Sequence, residues 1–336
     1  YNIFVVSCVR GDNGGNSVEI FQPMWETVFR GLQSRDAECG YRVFLMATFH
    51  VDQNLRYPEE PKKGDVVILV GHESSTKFKE QCATIFSQRQ VYCIWYFSEH
   101  DIQGKLNFTF PGLCEIWEYT RANSPFARVV RYIPAGFLPV ESTVEGNDAM
   151  VAENVEHWKN LSAKDMKLNL QFVGSLSSAR ILCWEHLKTV KLFHTLMNVN
   201  VWGRDHYRAL GRQKDTVFLN MHRHCNNGSM YPPGVTPPLE TVRLSLMLSV
   251  GAVVISEQTN DADAAVFDGV VLFEPQLSQP SNTWATNLQK LLADPQEIAR
   301  WQLQAYNRFK TKFSPKQIML DANVWDGGFS AHGACR

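Results

Sequence analysis

The stretch Asp215-Thr-Val-Phe-Leu-Asn-Met-His222, with Pro237-Pro-Leu-Glu-Thr-Val-Arg-Leu244 and Gly251-Ala-Val-Val-Ile-Ser-Glu257 after it, decides the fold class. A short apolar run, Val217 to Leu219, ends in Asn220, Met221 and His222. A loop rich in Gly and Pro follows, then a helix that opens on Pro237-Pro238 and carries Glu240 in its first turn. A second apolar run, Ala252 to Ile255, closes the unit. Strand, loop, helix, strand is the order of a parallel α/β sheet, where ligands gather at strand C-termini and helix N-termini. A carboxylate placed there can accept two charge-assisted hydrogen bonds from the vicinal diol of a sugar.

The same grammar extends in both directions. Asn2 to Cys8 reads as a buried strand, being short, continuous and β-branched. A glycine-rich loop with Gly14 and Gly15 follows it, then an amphipathic helix from Ile20 to Leu32 with Met24, Val28 and Leu32 four residues apart. Further strands are expected at 42–46, 66–70, 91–97, 114–117 and 129–133, with a helix at 77–87. Residues 140–165 become polar and acidic and read as an exposed connector or a helical excursion near 151–161. A second series begins at Leu168–Val173, continues through a helix at 179–193, and places strands at 199–201, 216–219, 252–255 and 270–273. The chain closes in helices at 282–293, 296–311 and 315–322, separated by the breakers Pro295 and Pro315. The expected organisation is an N-terminal lobe over 1–140, joined by the C-terminal helix at 312–336, a connector at 141–165, and a C-terminal lobe over 166–311.

With 336 residues the chain exceeds what one core usually supports, so two domains are expected. Basic and acidic residues nearly balance, 33 against 34, so no field of one sign draws nucleic acid or an anionic membrane. No apolar run is long enough to span a bilayer. The eight cysteines are scattered without a C-x-x-C pair, and Cys93 sits inside an apolar run; this reads as reduced, buried thiols, not a disulfide framework. That favours the cytoplasm, with a Golgi or secretory lumen as the alternative. Three triplets, Asn107-Phe-Thr, Asn160-Leu-Ser and Asn227-Gly-Ser, match the glycosylation acceptor pattern, which also arises by chance. The chain begins at Tyr1 without Met, as expected of a part of a longer polypeptide.

The order Phe172-Val-Gly-Ser-Leu176, Trp202-Gly-Arg-Asp205, Leu219-Asn-Met-His222, Glu240-Thr-Val-Arg243 and Gly251 to Glu257 resembles the C-terminal lobe of GT-B fold glycosyltransferases. The likeness is to the group-1 glycosyl transferases, including the spore-maturation-type branch. It implies an α/β fold of two Rossmann-like lobes facing each other across a cleft, with a nucleotide-sugar donor and a carbohydrate or other small acceptor. It also implies that Glu240 holds the ribose hydroxyls. Many retaining members carry another Glu eight residues upstream; here that position is Pro232, so the paired-Glu motif is absent.

Around Glu240 the candidate donor site comprises Gly174, Ser175, Arg180, Arg204, Asn220, His222 and Arg243. Without a metal motif, arginines must stabilise the leaving diphosphate, and Arg180, Arg204 and Arg243 are the candidates. Each also has an ordinary reading as a helix-face ion-pair partner. Glu240 likewise has one, since the helix macrodipole favours a first-turn carboxylate, with Thr236 as cap. On the N-terminal side Gly14, Gly15 and His100 are the candidates for the reacting centre, His100 because it ends a strand between Glu99 and Asp101; His72 competes with it. His222-Arg-His224-Cys225 lacks a second ligand pair at metal-site spacing. No metal and no cofactor beyond the donor substrate are expected. A nucleotide-sugar epimerase on the same fold and a non-catalytic two-lobed sugar-binding protein share the pattern.

Overall fold

A computed structural model describes residues 1–7, 21–46, 61–71, 88–97, 113–121, 130–189, 192–200, 203–222, 237–274 and 286–325. The chain divides into two compact units, Tyr1–Gly136 with Phe313–Arg336, and Phe137–Lys312. Each is an α/β unit built on a wholly parallel sheet, so the architecture is two Rossmann-like units.

In the first unit the strands are β1 (Asn2–Ser7), β2 (Arg42–Met46), β3 (Val66–Gly71), β4 (Tyr92–Phe97), β5 (Leu113–Glu118) and β6 (Val130–Tyr132), in the spatial order β2-β1-β3-β4-β5-β6. Strands covered on both faces need no polar alternation, which is why Ile3–Val6 and Val66–Val70 are unbroken apolar runs and are buried throughout. Helix α1 (Gln22–Gln33) turns Met24, Val28 and Leu32 inward, followed by the short α2 (Asp36–Cys39). The C-terminal helix α10 (Pro315–Asp321) packs on α1. The contact is so close that a Cβ on Gly31 would lie 2.5 Å from Met319 Cγ.

In the second unit the strands are β7 (Asn169–Val173), β8 (Thr195–Val199), β9 (Thr216–Asn220), β10 (Val253–Glu257) and β11 (Leu272–Glu274), in the order β11-β10-β9-β7-β8. Its helices are α3 (Val144–Asn160), α4 (Ser178–Leu187), α5 (Arg204–Gly211), α6 (Thr241–Ser249), α7 (Asp261–Val266), α8 (Thr286–Ala293) and α9 (Pro295–Lys312). From β7 the chain goes first to the edge strand β8, then back past β7 to β9. That reversal makes a topological switch point between β7 and β9, and in open α/β sheets ligands bind outside the strand C-termini at such a point.

Several expectations need correction. Of the two readings of 141–165 the connector fails and the helical excursion holds, longer than 151–161: residues 144–160 form α3, capped by the Thr143 hydroxyl and packed on α9 within the second unit. The strand expected at 199–201 lies at 195–199. It is an edge strand whose residues are largely exposed, so it lacks the apolar run that marks its neighbours. Helix α6 begins at Thr241, one residue after Glu240, which is its N-cap position. The cysteines also depart from expectation: Cys39 and Cys183, one in each unit, are disulfide-bonded. Disulfide formation depends on how closely the Cα and Cβ atoms approach in space, which spacing along the chain does not reveal. Cys93 is a buried thiol. The helix expected at 77–87 lies outside the described residues, and among these no helix is long and apolar enough to cross a membrane.

Candidate functional site

The C-terminal edge of the second sheet gathers charged side chains at its switch point. Strand β7 ends at Val173, and Gly174 follows at φ +139°, a backbone conformation that side chains disfavour. A Cβ there would also lie 3.3 Å from the Phe172 ring and 3.5 Å from Arg243 Nη2. The turn leads through Ser175 into α4, whose first turn carries Arg180. Strand β9 ends in Asn220, Met221 and His222, and Glu240 stands at the head of α6 with Arg243 three residues on.

Arg180 ties these segments together. Its Nε donates to the His222 carbonyl at 3.2 Å, Nη1 to Ser175 O at 3.1 Å, and Nη2 to Met221 O at 3.0 Å and Glu240 Oε1 at 3.2 Å. One guanidinium therefore joins the loop after β7, the end of β9 and the start of α6. Arg243 completes the clamp, with Nη2 2.7 Å from Glu240 Oε2 and Nη1 donating to Asn220 Oδ1 at 3.1 Å. Both cations lie over the Phe172 ring, at 5.3 and 5.2 Å from its centroid. Among the described residues the buried Arg243 Nε finds no acceptor. Native proteins rarely leave such a donor unsatisfied.

The exposures differ in a way that bears on function. The two arginine side chains are 6% exposed and Glu240 is 28% exposed. The arginines are thus interior supports, and the carboxylate they hold is the part that meets solvent. Glu240 makes no side-chain cap bond at its own helix, and both of its carboxylate oxygens are held by arginines.

A second carboxylate, Glu257, ends β10 beside this cluster and is buried. It accepts the His222 backbone N–H at 2.6 Å. Burial raises its pKa from the usual carboxylate range to about 7, against the lowering effects of that hydrogen bond and of Arg180. The His222 ring is buried too and its pKa is lowered, chiefly by burial. Its Nε2 lies 3.1 Å from Gln258 O, which can only accept, so Nε2 carries the proton. Near neutral pH the site therefore holds, beside its two guanidinium cations, one carboxyl able to exchange a proton.

No protein-family model and no curated protein matches this chain. Among solved structures it is similar to the N-terminal domain of trehalose-6-phosphate phosphatase from Candida albicans, at 10% identity and a TM-score of 0.49, covering 97% of both chains. It is also similar to WaaG, a glycosyltransferase involved in lipopolysaccharide biosynthesis, at 12% identity and a TM-score of 0.46, covering 98% of this chain and 100% of that one. Likenesses this distant do not bear on activity, and the fold stands on the sheet order itself.

Of the residues expected from sequence, Gly174, Ser175, Arg180, Asn220, His222, Glu240 and Arg243 come together at this one edge. Asn220 is fully buried, bonded to Ser256 Oγ and Arg243, and supports the site from below. Arg204 opens α5, a different element, and is half-buried. Gly14, Gly15, His72, His100, His224 and Cys225 lie outside the described residues. Glu257 was not singled out from the sequence. Its signal was its position, the last residue of a buried strand two strands from β7.

Proposed function

We propose that the chain is a glycosyltransferase that takes a sugar from a nucleotide-sugar donor, independently of a metal, and that the second unit holds the nucleotide. The observation that carries this reading is the clamp on Glu240. A half-exposed carboxylate fixed by two buried arginines at a switch point is preorganised to accept the paired hydroxyls of a ribose. Each arginine takes one carboxylate oxygen, and the side chain stays 28% exposed. The turn at Gly174-Ser175 and the amides opening α4 suit the diphosphate, since helix N-termini favour anions. The unsatisfied Arg243 Nε–H supports an acceptor that arrives with a ligand.

In this reading Arg180 acts through Glu240 and through the carbonyls it ties, as a positioning residue, because its donors already have partners. Arg204 remains a candidate for the leaving phosphate. Gly14, Gly15 and His100 of the first unit are the proposed groups at the reacting centre, and the acceptor is a carbohydrate or other small molecule.

The test is a thermal-shift and calorimetric panel of nucleoside diphosphates and nucleotide sugars. One base family should raise the midpoint, because a ligand that binds only the folded state stabilises it. Glu240→Ala should weaken that binding at least tenfold, the loss of two charge-assisted hydrogen bonds being on the order of 2–3 kcal/mol. No response to any nucleotide, or an undiminished affinity in Glu240→Ala, overturns the reading.

A further inference from the structure

The strongest feature outside the nucleotide site is the pairing of two observations that the proposed function does not use. The first is chemical: Cys39 and Cys183 are both disulfide-bonded, and they lie in different units of the chain. Reducing compartments keep thiols open, and disulfides persist mainly in the secretory pathway, outside the cell or in comparable oxidising spaces. The second is geometric. Of the three acceptor triplets, Asn160-Leu161-Ser162 is the one that falls within the described residues.

Asn160 is the last residue of α3 and is exposed, as is Ser162. Leu161 leaves the helix in an extended conformation at φ −84° and ψ 135°, which ends the helix directly after the asparagine. The Asn160 side chain lies on the surface with Nδ2 donating to Glu156 Oε1 at 3.0 Å. Attachment of a sugar replaces one of the two Nδ2 hydrogens, and the other can keep that hydrogen bond. At this end of α3 the Lys159 carbonyl accepts from Gln296 Nε2, at the start of α9, at 2.6 Å.

We propose that the chain matures in an oxidising, secretory compartment and carries an N-linked glycan on Asn160. The step is a transfer from a lipid-linked oligosaccharide diphosphate. A bond forms between Asn160 Nδ2 and the anomeric carbon of the first sugar, the bond from that carbon to the lipid diphosphate breaks, and the displaced amide proton leaves with the diphosphate. Nothing in the proposal depends on the nucleotide reading.

The test uses the protein isolated from its own cells. Non-reducing peptide mapping reports the state of Cys39 and Cys183, and amidase release of glycans in heavy-oxygen water converts a glycosylated asparagine to a labelled aspartate. The expected result is that Cys39 and Cys183 each take part in a disulfide, together with label at Asn160. In the same cells Asn160→Gln and Ser162→Ala should each remove one glycan from the wild-type mass, and Ser162→Thr should retain it. Asn107 and Asn227 lie outside the described residues, and any glycan on them is counted separately in the same map. Free thiols at Cys39 and Cys183 overturn the compartment assignment, and an unlabelled Asn160 in a disulfide-bonded protein overturns the site.

Discussion

Two polar networks in the second unit are built from similar groups and end differently. The first, described above, lies at the C-terminal edge of the sheet. The second fastens the incoming chain to the packed helices. There the Ser249 hydroxyl accepts the Leu138 N–H at 2.9 Å, and Asn147 Oδ1 accepts the Val140 N–H at 3.0 Å. Asn147 Nδ2 donates to Ser249 O at 2.7 Å and Tyr306 Oη at 3.0 Å, and the Tyr306 hydroxyl in turn donates to Asp148 Oδ1 at 2.7 Å. The network reaches the surface at an ion pair, Lys310 with Asp148, whose two charges cancel where water can also reach them. The site network instead keeps its cations inside and brings a carboxylate outward. The difference separates fastening from recognition: one network satisfies itself, and the other presents an acceptor that two buried charges support.

Three perturbations bear on that contrast. Arg180→Ala should have the largest effect. It removes a buried cation that holds three carbonyls and Glu240, so we expect a loss of stability of about 4 kcal/mol by denaturant titration, typical of breaking a buried pair, together with lost nucleotide binding. A loss under about 1 kcal/mol would place Arg180 on the surface side of the contrast.

Glu257 comes next, through pH. Its folded-state pKa of about 7 lies above the ordinary 4.5, so the folded protein binds a proton that the unfolded chain releases. Stability contributed by this group is therefore full below pH 4.5 and is lost as pH rises through 7, a change on the order of 3 kcal/mol. Glu257→Gln keeps an acceptor for the His222 N–H and cannot ionise. The difference between the two stability curves should grow in favour of the variant from pH 5 to pH 8. His222 acts with the opposite sign in both proteins, since its lowered pKa makes stability fall as pH drops below 6.5, and it cancels in the difference. A pH-independent difference would show that Glu257 ionises freely.

The smallest effect is expected at Asn147→Ala, which leaves the Val140 N–H and Ser249 carbonyl without their partner. A loss of about 2 kcal/mol is expected, with nucleotide affinity unchanged in calorimetry. Weakened binding would join the two networks and erase the distinction.

Much of the fold was legible in sequence because parallel strands are buried on both faces. Ile3–Val6, Val217–Leu219 and Val253–Ile255 are unbroken apolar runs for that reason. Strand β8 escaped because an edge strand is under no such demand. Helix α3 was legible only in part, as an excursion near 151–161, since two of its buried positions are Asn147 and Asn154, whose amides bond backbone groups remote in sequence. The site was legible in the same graded way. Glu240 and Arg243 stand three residues apart, a spacing that pairs side chains on or near one helical turn.

Sequence by itself therefore determined the alternation of elements, the two-unit organisation and the candidate carboxylate, all carried by local pattern. Tertiary structure alone decided that Arg180, sixty residues from Glu240, reaches it; that burial brings Glu257 to a pKa near neutrality; and that Cys39 and Cys183 are disulfide-bonded. Those outcomes depend on distances between segments and on exclusion of water, quantities that no local spacing of residues encodes.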